Sequence, residues 1–257
     1  MKIGVVGTRT ALGRCVLAAL GDDGLDEPPI VAGLDAVIAV TPSLAVLDAA
    51  VNAEVAYVDA SADPAWVTEV LRRHVDAPVP VVPACGFDGL LGDLAAAVAA
   101  EHFGGPVDSL AVHHDRDVAL AGTPARPRRV SFPNGNRFVV DTTFVERVLV
   151  PRHVPGAAVT TTLAVVAGVT SRFVGQRRTT FQVVAEATGT GTKSFVVCHG
   201  DDVEVVGARF LATAARHLTE AGAMAPAEAF HAEPFLDSVS GDDMHWSFEF
   251  PPADFGS

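Results

Sequence analysis

Short apolar runs alternate with segments of helical periodicity along the first hundred residues. The apolar runs, which are typical of buried strands, occupy residues 2–6, 36–40, 55–58 and 79–82. The segments that repeat apolar residues every three or four positions predict helices over residues 11–20, 43–51, 64–74 and 90–101. Strands that are apolar throughout and alternate with helices predict a parallel sheet that is covered on both faces.

Residues that favour helix ends stand between these runs. Gly21 follows the first helical segment, and Asp63 precedes Pro64, which suits an N-cap followed by the first helical position. Because ligands of open parallel sheets bind beyond the carboxyl ends of the strands, we expect a substrate cleft there. The candidate substrate-binding residues after those ends are Thr41, Pro42, Ser61, Gly86 and Phe87.

The turn after the first strand resembles a dinucleotide-binding turn of the type G-x-x-G-x-x-G. It begins at Gly7 and ends at Gly13, with Thr10 in place of the middle glycine. A β-branched residue at that position crowds the place where backbone approaches a pyrophosphate. The candidate cofactor-binding residues are Gly7, Thr8, Arg9, Thr10 and Gly13. The alternative is a strand-to-helix turn that binds no ligand.

A dinucleotide fold needs more chain after its first helix than this sequence provides. It places a strand, a helix and another strand there, and the first of these strands ends in the residue that reads the adenosine ribose, about 20 residues past the glycines. Here residues 22–34 are interrupted by two glycines and two prolines. They predict a loop, or one short strand over Ile30–Ala32, so most of the adenosine site is expected to be absent. Asp35 begins a strand and receives no ribose role.

The second half of the chain has strand and hairpin patterns. Asn134-Gly135 predicts a tight turn between strands over Arg129–Phe132 and Arg137–Val140. Further strands are predicted over residues 159–166, 180–186 and 193–199, and a helix over residues 209–221. Together these elements predict a mixed or antiparallel sheet with a helix packed on it.

The predicted fold class is α/β, with a truncated Rossmann-like parallel sheet and a second α+β domain that has a mixed or antiparallel sheet. Residues 1–104 hold 5 basic and 14 acidic side chains, whereas residues 116–178 hold 10 arginines and 3 acidic side chains. We therefore predict a first domain over residues 1–104, onto which residues 205–257 could pack back. A substrate and dimerisation domain is predicted over residues 105–204.

The overall composition excludes several functional classes. The net charge of −13, from 18 basic and 31 acidic side chains, is opposite to that of a duplex-binding protein, so no nucleic-acid partner is expected. No apolar run reaches the roughly 18 residues of a membrane span, and the N-terminus lacks the layout of a signal peptide. Three widely spaced cysteines suit a reducing cytosol and exclude a zinc site of paired cysteines. We expect a cytoplasmic protein without a metal or a membrane partner.

Two aspartates and a cysteine after predicted strands are candidate catalytic groups. Asp59 and Asp88 could act as acid or base, because desolvation in an apolar cleft raises the pKa of a carboxyl. The alternative is that each caps the helix that follows it. Cys85 is a candidate nucleophile, and the alternative is a small buried apolar residue.

The densest polar cluster is the run from His113 to Asp117. His113 is a candidate general base and His114 a candidate substrate-binding residue, although neighbours on a strand point to opposite faces and cannot serve one site. The alternative is a polar strand end with a surface ion pair. His153 is expected in a loop and His199 at a strand end, and the arginines from Arg126 to Arg178 either bind an anionic group or cover a solvated sheet face.

Several segments resemble the saccharopine dehydrogenase-like oxidoreductases, including their trans-acting enoyl reductase branch. The matching positions are Tyr57-Val58-Asp59, Trp66, residues 82–88, Gly92-Asp93-Leu94, residues 225–230 and Phe235-Leu236. The resemblance implies an NAD(P)-dependent ancestor whose second domain supplies the substrate pocket and dimer contacts. Residues 89–92 depart from the serine-x-proline-serine of that family, and the second strand, second helix and third strand of its nucleotide domain look deleted.

Three functional hypotheses follow. The first is a biosynthetic enzyme that has lost NAD(P) binding and promotes a cofactor-independent cyclisation or isomerisation of an apolar small molecule. The second is a compact NADP- or NAD-dependent reductase of an enoyl, imine or ketone substrate. The third is a non-catalytic partner subunit. A homodimer is expected in each case from the resemblance.

Overall fold

The computed structural model describes residues 1–27, 31–115, 127–132, 135–164 and 180–249. The elements of the first part are β1 (Ile3–Val6), α1 (Ala11–Leu20), β2 (Gly24–Asp26), β3 (Ala36–Ala39), α2 (Leu44–Asn52), β4 (Ala56–Asp59), α3 (Pro64–Arg73), β5 (Pro80–Val82) and α4 (Phe87–Phe103). Those of the second part are β6 (Ser109–Asp115), β7 (Arg128–Phe132), β8 (Gly135–Asp141), α5 (Glu146–His153), β9 (Ala158–Ala164), β10 (Thr180–Gly189), β11 (Thr192–Asp201), α6 (Val203–Arg216), β12 (Gly222–Ala223), α7 (Pro226–Ala229), α8 (Ala232–Val239) and β13 (Met244–Glu249).

The first sheet has the strand order β12-β5-β4-β3-β1-β2, and all of its strand pairs are parallel. Its central strands are almost entirely buried because helices cover both faces, which confirms the parallel sheet predicted from the apolar runs. The C-terminal part of the chain contributes to this sheet through β12, while α6 packs against α1.

The predicted loss of the second strand is wrong. β2 pairs in parallel with β1, with Ile3 opposite Gly24, and so forms the outer edge of the first sheet. Leu25 is its single large apolar residue, which is why no strand pattern indicated it. The nine residues 27–35 that separate β2 from β3 are too few to hold a further helix and strand. Of the predicted strand Ile30–Ala32, Ile30 lies outside the described residues and the other two positions are not in a strand.

Side-chain caps begin the helices that the sequence predicted. The side chains of Thr10, Ser43 and Asp63 accept hydrogen bonds from backbone N–H groups at the starts of α1, α2 and α3. The helix predicted over residues 209–221 begins earlier, at α6, because Asp202 caps the N–H groups of Glu204 and Val205.

The second sheet is mixed and has the strand order β13-β11-β10-β6-β9-β8-β7. Strands β6 and β9 are parallel, and every other described pair is antiparallel. This arrangement confirms the predicted mixed sheet, and β7 and β8 form the predicted hairpin, although Asn134 of its turn lies outside the described residues.

Helix α4 lies between the two sheets and is buried along most of its length. One apolar cluster contains Ile3 and Val82 of the first sheet together with Leu110 and Val183 of the second. Ser194 of β11 also donates a hydrogen bond of 3.0 Å to the Ala99 carbonyl of α4. The two sheets therefore share one core. No helix within the described ranges is both long enough and apolar enough to cross a bilayer.

Candidate functional site

The turns that follow the parallel strands meet at one edge of the first sheet, as the alternation of strands and helices predicted. A Cβ atom on Gly7 would lie 2.7 Å from Oγ1 of Thr41, and one on Gly86 would lie 3.1 Å from the backbone of Ala60. The structure therefore brings the turns after β1, β3, β4 and β5 together.

The turn after β1 is closed by its own threonine. Gly7 has a φ of +93°, and the Thr10 hydroxyl donates to its carbonyl at 2.8 Å while accepting from the Gly13 N–H at 2.9 Å. A Cβ on Gly13 would overlap the Gly7 carbonyl oxygen, so this position needs glycine. Thr10 thus closes the turn and caps α1. The N–H groups of Ala11 and Leu12 belong to the first helical turn, which has no intrahelical acceptors and favours an anion.

Glu27, directly after β2, reaches the same turn. Its Oε1 accepts hydrogen bonds from the Gly7 N–H at 3.2 Å, the Thr8 N–H at 3.3 Å and the Thr8 hydroxyl at 3.2 Å. Its own N–H donates to the Val5 carbonyl at 2.9 Å and so continues the strand pairing. Glu27 is exposed and lies 20 residues beyond Gly7, which is the spacing of the ribose-reading acid of a dinucleotide fold. The spacing of 20 residues is visible in the sequence. Because β2 was not predicted, Glu27 could not be recognised as the acid at the end of a strand.

Asp59 holds the turns after β4 and β5 from inside. Its carboxylate, which is 0% exposed, accepts from the N–H groups of Ser61 at 2.9 Å and Ala84 at 3.0 Å. It also accepts from the Tyr57 hydroxyl at 3.2 Å and from Nε1 of Trp66 at 2.8 Å. Burial raises the pKa of Asp59, and these hydrogen bonds oppose that rise. The carboxylate caps no helix, since Asp63 caps α3, and its four donors favour a structural role over acid–base catalysis.

Cys85 lies just before α4, and Asp88 lies in the first turn of that helix. Burial raises the pKa of the Cys85 thiol well above its usual value, with a further contribution from Asp59, so the nucleophilic thiolate is disfavoured and the apolar alternative is favoured. Gly86 is the N-cap of α4, and Asp88 is the second residue inside the helix, so the alternative that Asp88 is the N-cap is wrong. Asp88 is half-buried and stays a candidate acid or base.

The adjacent histidines of β6 point to opposite faces of the second sheet, as expected. His113 meets Oγ1 of Thr162 at 2.7 Å, and burial lowers the pKa of His113 to about 3. A general base with such a pKa would be neutral but very weak at neutral pH. His114 meets Oε1 of Glu146 at 2.8 Å, and both side chains are completely buried. A Cβ on Gly92 of α4 would overlap that carboxylate, so the helix leaves room for it.

A second histidine–carboxylate pair joins α4 and α5. Nε2 of His153 lies 2.7 Å from Oδ1 of Asp93, whose Oδ2 accepts from the Ala227 N–H at 2.9 Å. The expectation that His153 is a loop residue is wrong, because it is the last residue of α5. Neither Asp93 nor Glu146 was a sequence candidate. Their partners are distant along the chain, so no local pattern could indicate them.

Three described arginines of the second half form ion pairs at the surface. Arg128 pairs with Asp141 at 3.4 Å, Arg137 with Asp115 at 3.4 Å and Arg152 with Glu228 at 2.7 Å. Arg126, Arg172, Arg177 and Arg178 lie outside the described residues. Over the described parts of the chain, no group of three or more histidine, cysteine, aspartate or glutamate side chains could hold a metal ion.

No protein-family model matches the sequence, and no curated protein matches it. Among solved structures, the chain is similar to apo histidine-tagged saccharopine dehydrogenase (L-Glu forming) from Saccharomyces cerevisiae. The TM-score is 0.66 and the sequence identity 11%, over 96% of this chain and 99% of that chain. At this identity the similarity shows the fold, which agrees with the predicted α/β class of a Rossmann-like parallel sheet and a second sheet.

Two further structures match with lower TM-scores. C. glutamicum DAP dehydrogenase in complex with DAP has a TM-score of 0.49 and 13% identity, over 95% of this chain and 96% of that chain. An engineered D-amino acid dehydrogenase bound to NADP⁺ has a TM-score of 0.43 and 12% identity, over 95% of this chain and 97% of that chain.

Proposed function

We propose that this chain is an NAD(H)-dependent oxidoreductase that reduces a C=C, C=N or C=O bond of a small molecule. The observation that carries the proposal is the position of Glu27. Its carboxylate ends the strand next to β1 and lies on the N–H groups of the glycine turn, where a dinucleotide fold places the acid that binds the adenosine ribose.

Apart from Thr10, whose β-branched side chain crowds the pyrophosphate position, the described residues fit a dinucleotide at this turn. The N–H groups of Ala11 and Leu12, at the positive end of α1, would bind the pyrophosphate, and the exposed carboxylate of Glu27 would accept hydrogen bonds from the ribose hydroxyls. Once bound, the nicotinamide supplies the hydride. Because a carboxylate at the ribose repels a 2′-phosphate, we propose NAD(H) rather than NADP(H) as the preferred cofactor.

The fold neighbour in yeast is named as a dehydrogenase, which agrees with this proposal. A cofactor-independent cyclisation or isomerisation has no support from the fold or from the comparisons. The homodimer, the cytoplasmic location and the partner-subunit hypothesis stay predictions.

Calorimetric titration of the purified chain with NADH and NADPH tests the proposal. We expect NADH to bind in the micromolar range and NADPH to bind at least about ten-fold more weakly, a difference of roughly 1.4 kcal/mol. Glu27→Ala should weaken NADH binding by a similar factor and reduce the preference over NADPH, since it removes both the ribose acceptor and the negative charge.

Asp26→Asn is the matched control, because Asp26 is an exposed acid one residue earlier on the same strand. It should leave both affinities unchanged. If the folded chain binds neither dinucleotide at millimolar concentration, the proposal is wrong and the hypothesis of a cofactor-independent enzyme is favoured instead.

A further inference from the structure

Two histidines lie side by side on the outermost strand pair of the second sheet. Strands β11 and β13 are antiparallel, and their register places His199 directly opposite His245. Directly opposite residues project from the same face of a sheet, with Cβ atoms about 5 Å apart. The two imidazole centroids are 5.8 Å apart and their planes are inclined by 43°.

Both rings are available to a ligand. His199 and His245 are exposed, and within the described residues neither imidazole has a hydrogen-bond or ion-pair partner. This separates them from the other strand histidines, His113 and His114, which are buried against polar partners. The pair therefore presents two imidazole rings, each with nitrogen donors, to solvent at one place.

The spacing of the rings suits one bound transition-metal ion. Zinc binds imidazole nitrogen at about 2.1 Å, so two rings on one tetrahedral ion have centres roughly 5 Å apart. The observed 5.8 Å is close to this value, and small rotations of two exposed side chains would complete the approach. Imidazole suits Zn²⁺, Cu²⁺ and Ni²⁺ better than the hard cations Mg²⁺ and Ca²⁺.

The surrounding charge attracts cations. Asp201 lies two residues after His199, and Asp243 lies two residues before His245, with the Asp201 N–H donating to the Asp243 carbonyl at 2.9 Å. The Asp243 carboxylate is bound by Arg209, which offsets its charge, so the attraction comes from Asp201 rather than from Asp243. The whole chain has a net charge of −13, which adds to the same attraction.

We propose that His199 and His245 form a two-histidine site for a divalent transition-metal ion of the zinc and copper class. Water completes the coordination, since no third side chain of a metal-binding type lies within reach in the described parts of the chain. The bound ion would link the edge strand β13 to β11. This inference is independent of the proposed dinucleotide function.

Titration of the full chain with Cu²⁺ tests the site, because Trp246 follows His245 directly and a nearby paramagnetic ion quenches its fluorescence. We expect saturable quenching with one ion per chain, and a two-nitrogen pattern in the electron paramagnetic resonance spectrum. His199→Asn and His245→Asn should each weaken binding at least about ten-fold, since even the loss of an outer partner of a metal ligand commonly has that effect.

His231→Asn is the control, because His231 is an exposed histidine that precedes α8, makes no side-chain cap to that helix and has no described contact with the pair. It should leave the affinity unchanged, and circular dichroism should show that all three variants keep the wild-type fold. Zn²⁺ should compete with Cu²⁺ in the wild-type chain. Equal affinities in the wild type and in both pair variants, or a one-nitrogen spectrum, would overturn the site.

Discussion

Two carboxylates hold turns at the same edge of the first sheet, and they differ in what remains for a ligand. Asp59 is completely buried, and four donors from the protein surround its two oxygens. Glu27 is exposed, and the three donors that it meets all lie on one oxygen, Oε1. The Asp59 carboxylate therefore makes its hydrogen bonds within the protein, whereas the exposed Glu27 carboxylate can still accept hydrogen bonds from a ligand.

The same contrast separates the sequence candidates from the proposed site. The sequence makes Asp59 and His113 catalytic candidates and His114 a substrate-binding candidate, because they are titratable side chains at or near the ends of predicted strands. The structure buries all three against fixed partners, so burial and pairing decide their roles more than residue type does. The open groups at the edge are instead backbone N–H groups and Glu27, which residue type alone does not distinguish.

Removal of the buried carboxylate should have the largest effect. Asp59→Ala leaves the donors of Ser61, Ala84 and Trp66 without their acceptor, so we expect the free energy of unfolding to fall by at least about 3 kcal/mol. Urea unfolding measures it. Asp63→Ala, which removes only the cap of α3, should cost about 1 kcal/mol. Equal losses in the two variants would contradict the structural role assigned to Asp59.

The buried state of His113 should appear as a pH dependence of stability. Burial lowers the pKa of His113 from 6.5 to about 3, so the unfolded chain binds the proton more tightly than the folded chain. This group therefore supplies stability above pH 6.5 that is lost on acidification, by roughly 2 kcal/mol at pH 5.

His113→Gln can still hydrogen-bond to Thr162 but does not titrate. Urea unfolding at pH 8 and pH 5 should show a smaller acid-induced loss of stability in this variant than in the wild type. Parallel pH dependences in the two proteins would mean that His113 is accessible to protons in the folded state.

The open carboxylate should matter least to stability. Glu27→Ala removes three hydrogen bonds at the exposed edge, where water replaces much of what is lost, so we expect a loss of about 1 kcal/mol or less in the same unfolding assay. A loss as large as that of Asp59→Ala would remove the distinction between the two carboxylates and make Glu27 a structural residue.

Much of the first sheet was predictable because its strands are apolar throughout and its helices begin at recognisable caps such as Asp63. Strand β2 was not predictable, because it has only one large apolar residue, Leu25, and forms through its pairing with β1. Glu27 was therefore not predicted as a cofactor-binding residue, because that role depends on its position at the end of β2.

Side-chain pairs between residues that are distant along the chain could not be predicted from local sequence patterns. His114 and Glu146 are 32 residues apart, and His153 and Asp93 are 60 residues apart. Only the register of β11 and β13 brings His199 to His245. The alternation rule did predict that His113 and His114 face opposite ways, because that property is set by the strand itself.

The position of helix α4 between the two sheets affects how the chain unfolds. Its apolar side chains pack on both sheets, so separating the sheets would expose them to water, at about 1.5–3 kcal/mol for each large side chain. For the described residues, a movement of one sheet away from the other would therefore expose much of the shared core. We expect the chain to denature as one cooperative unit, although its charge and composition divide near residue 104.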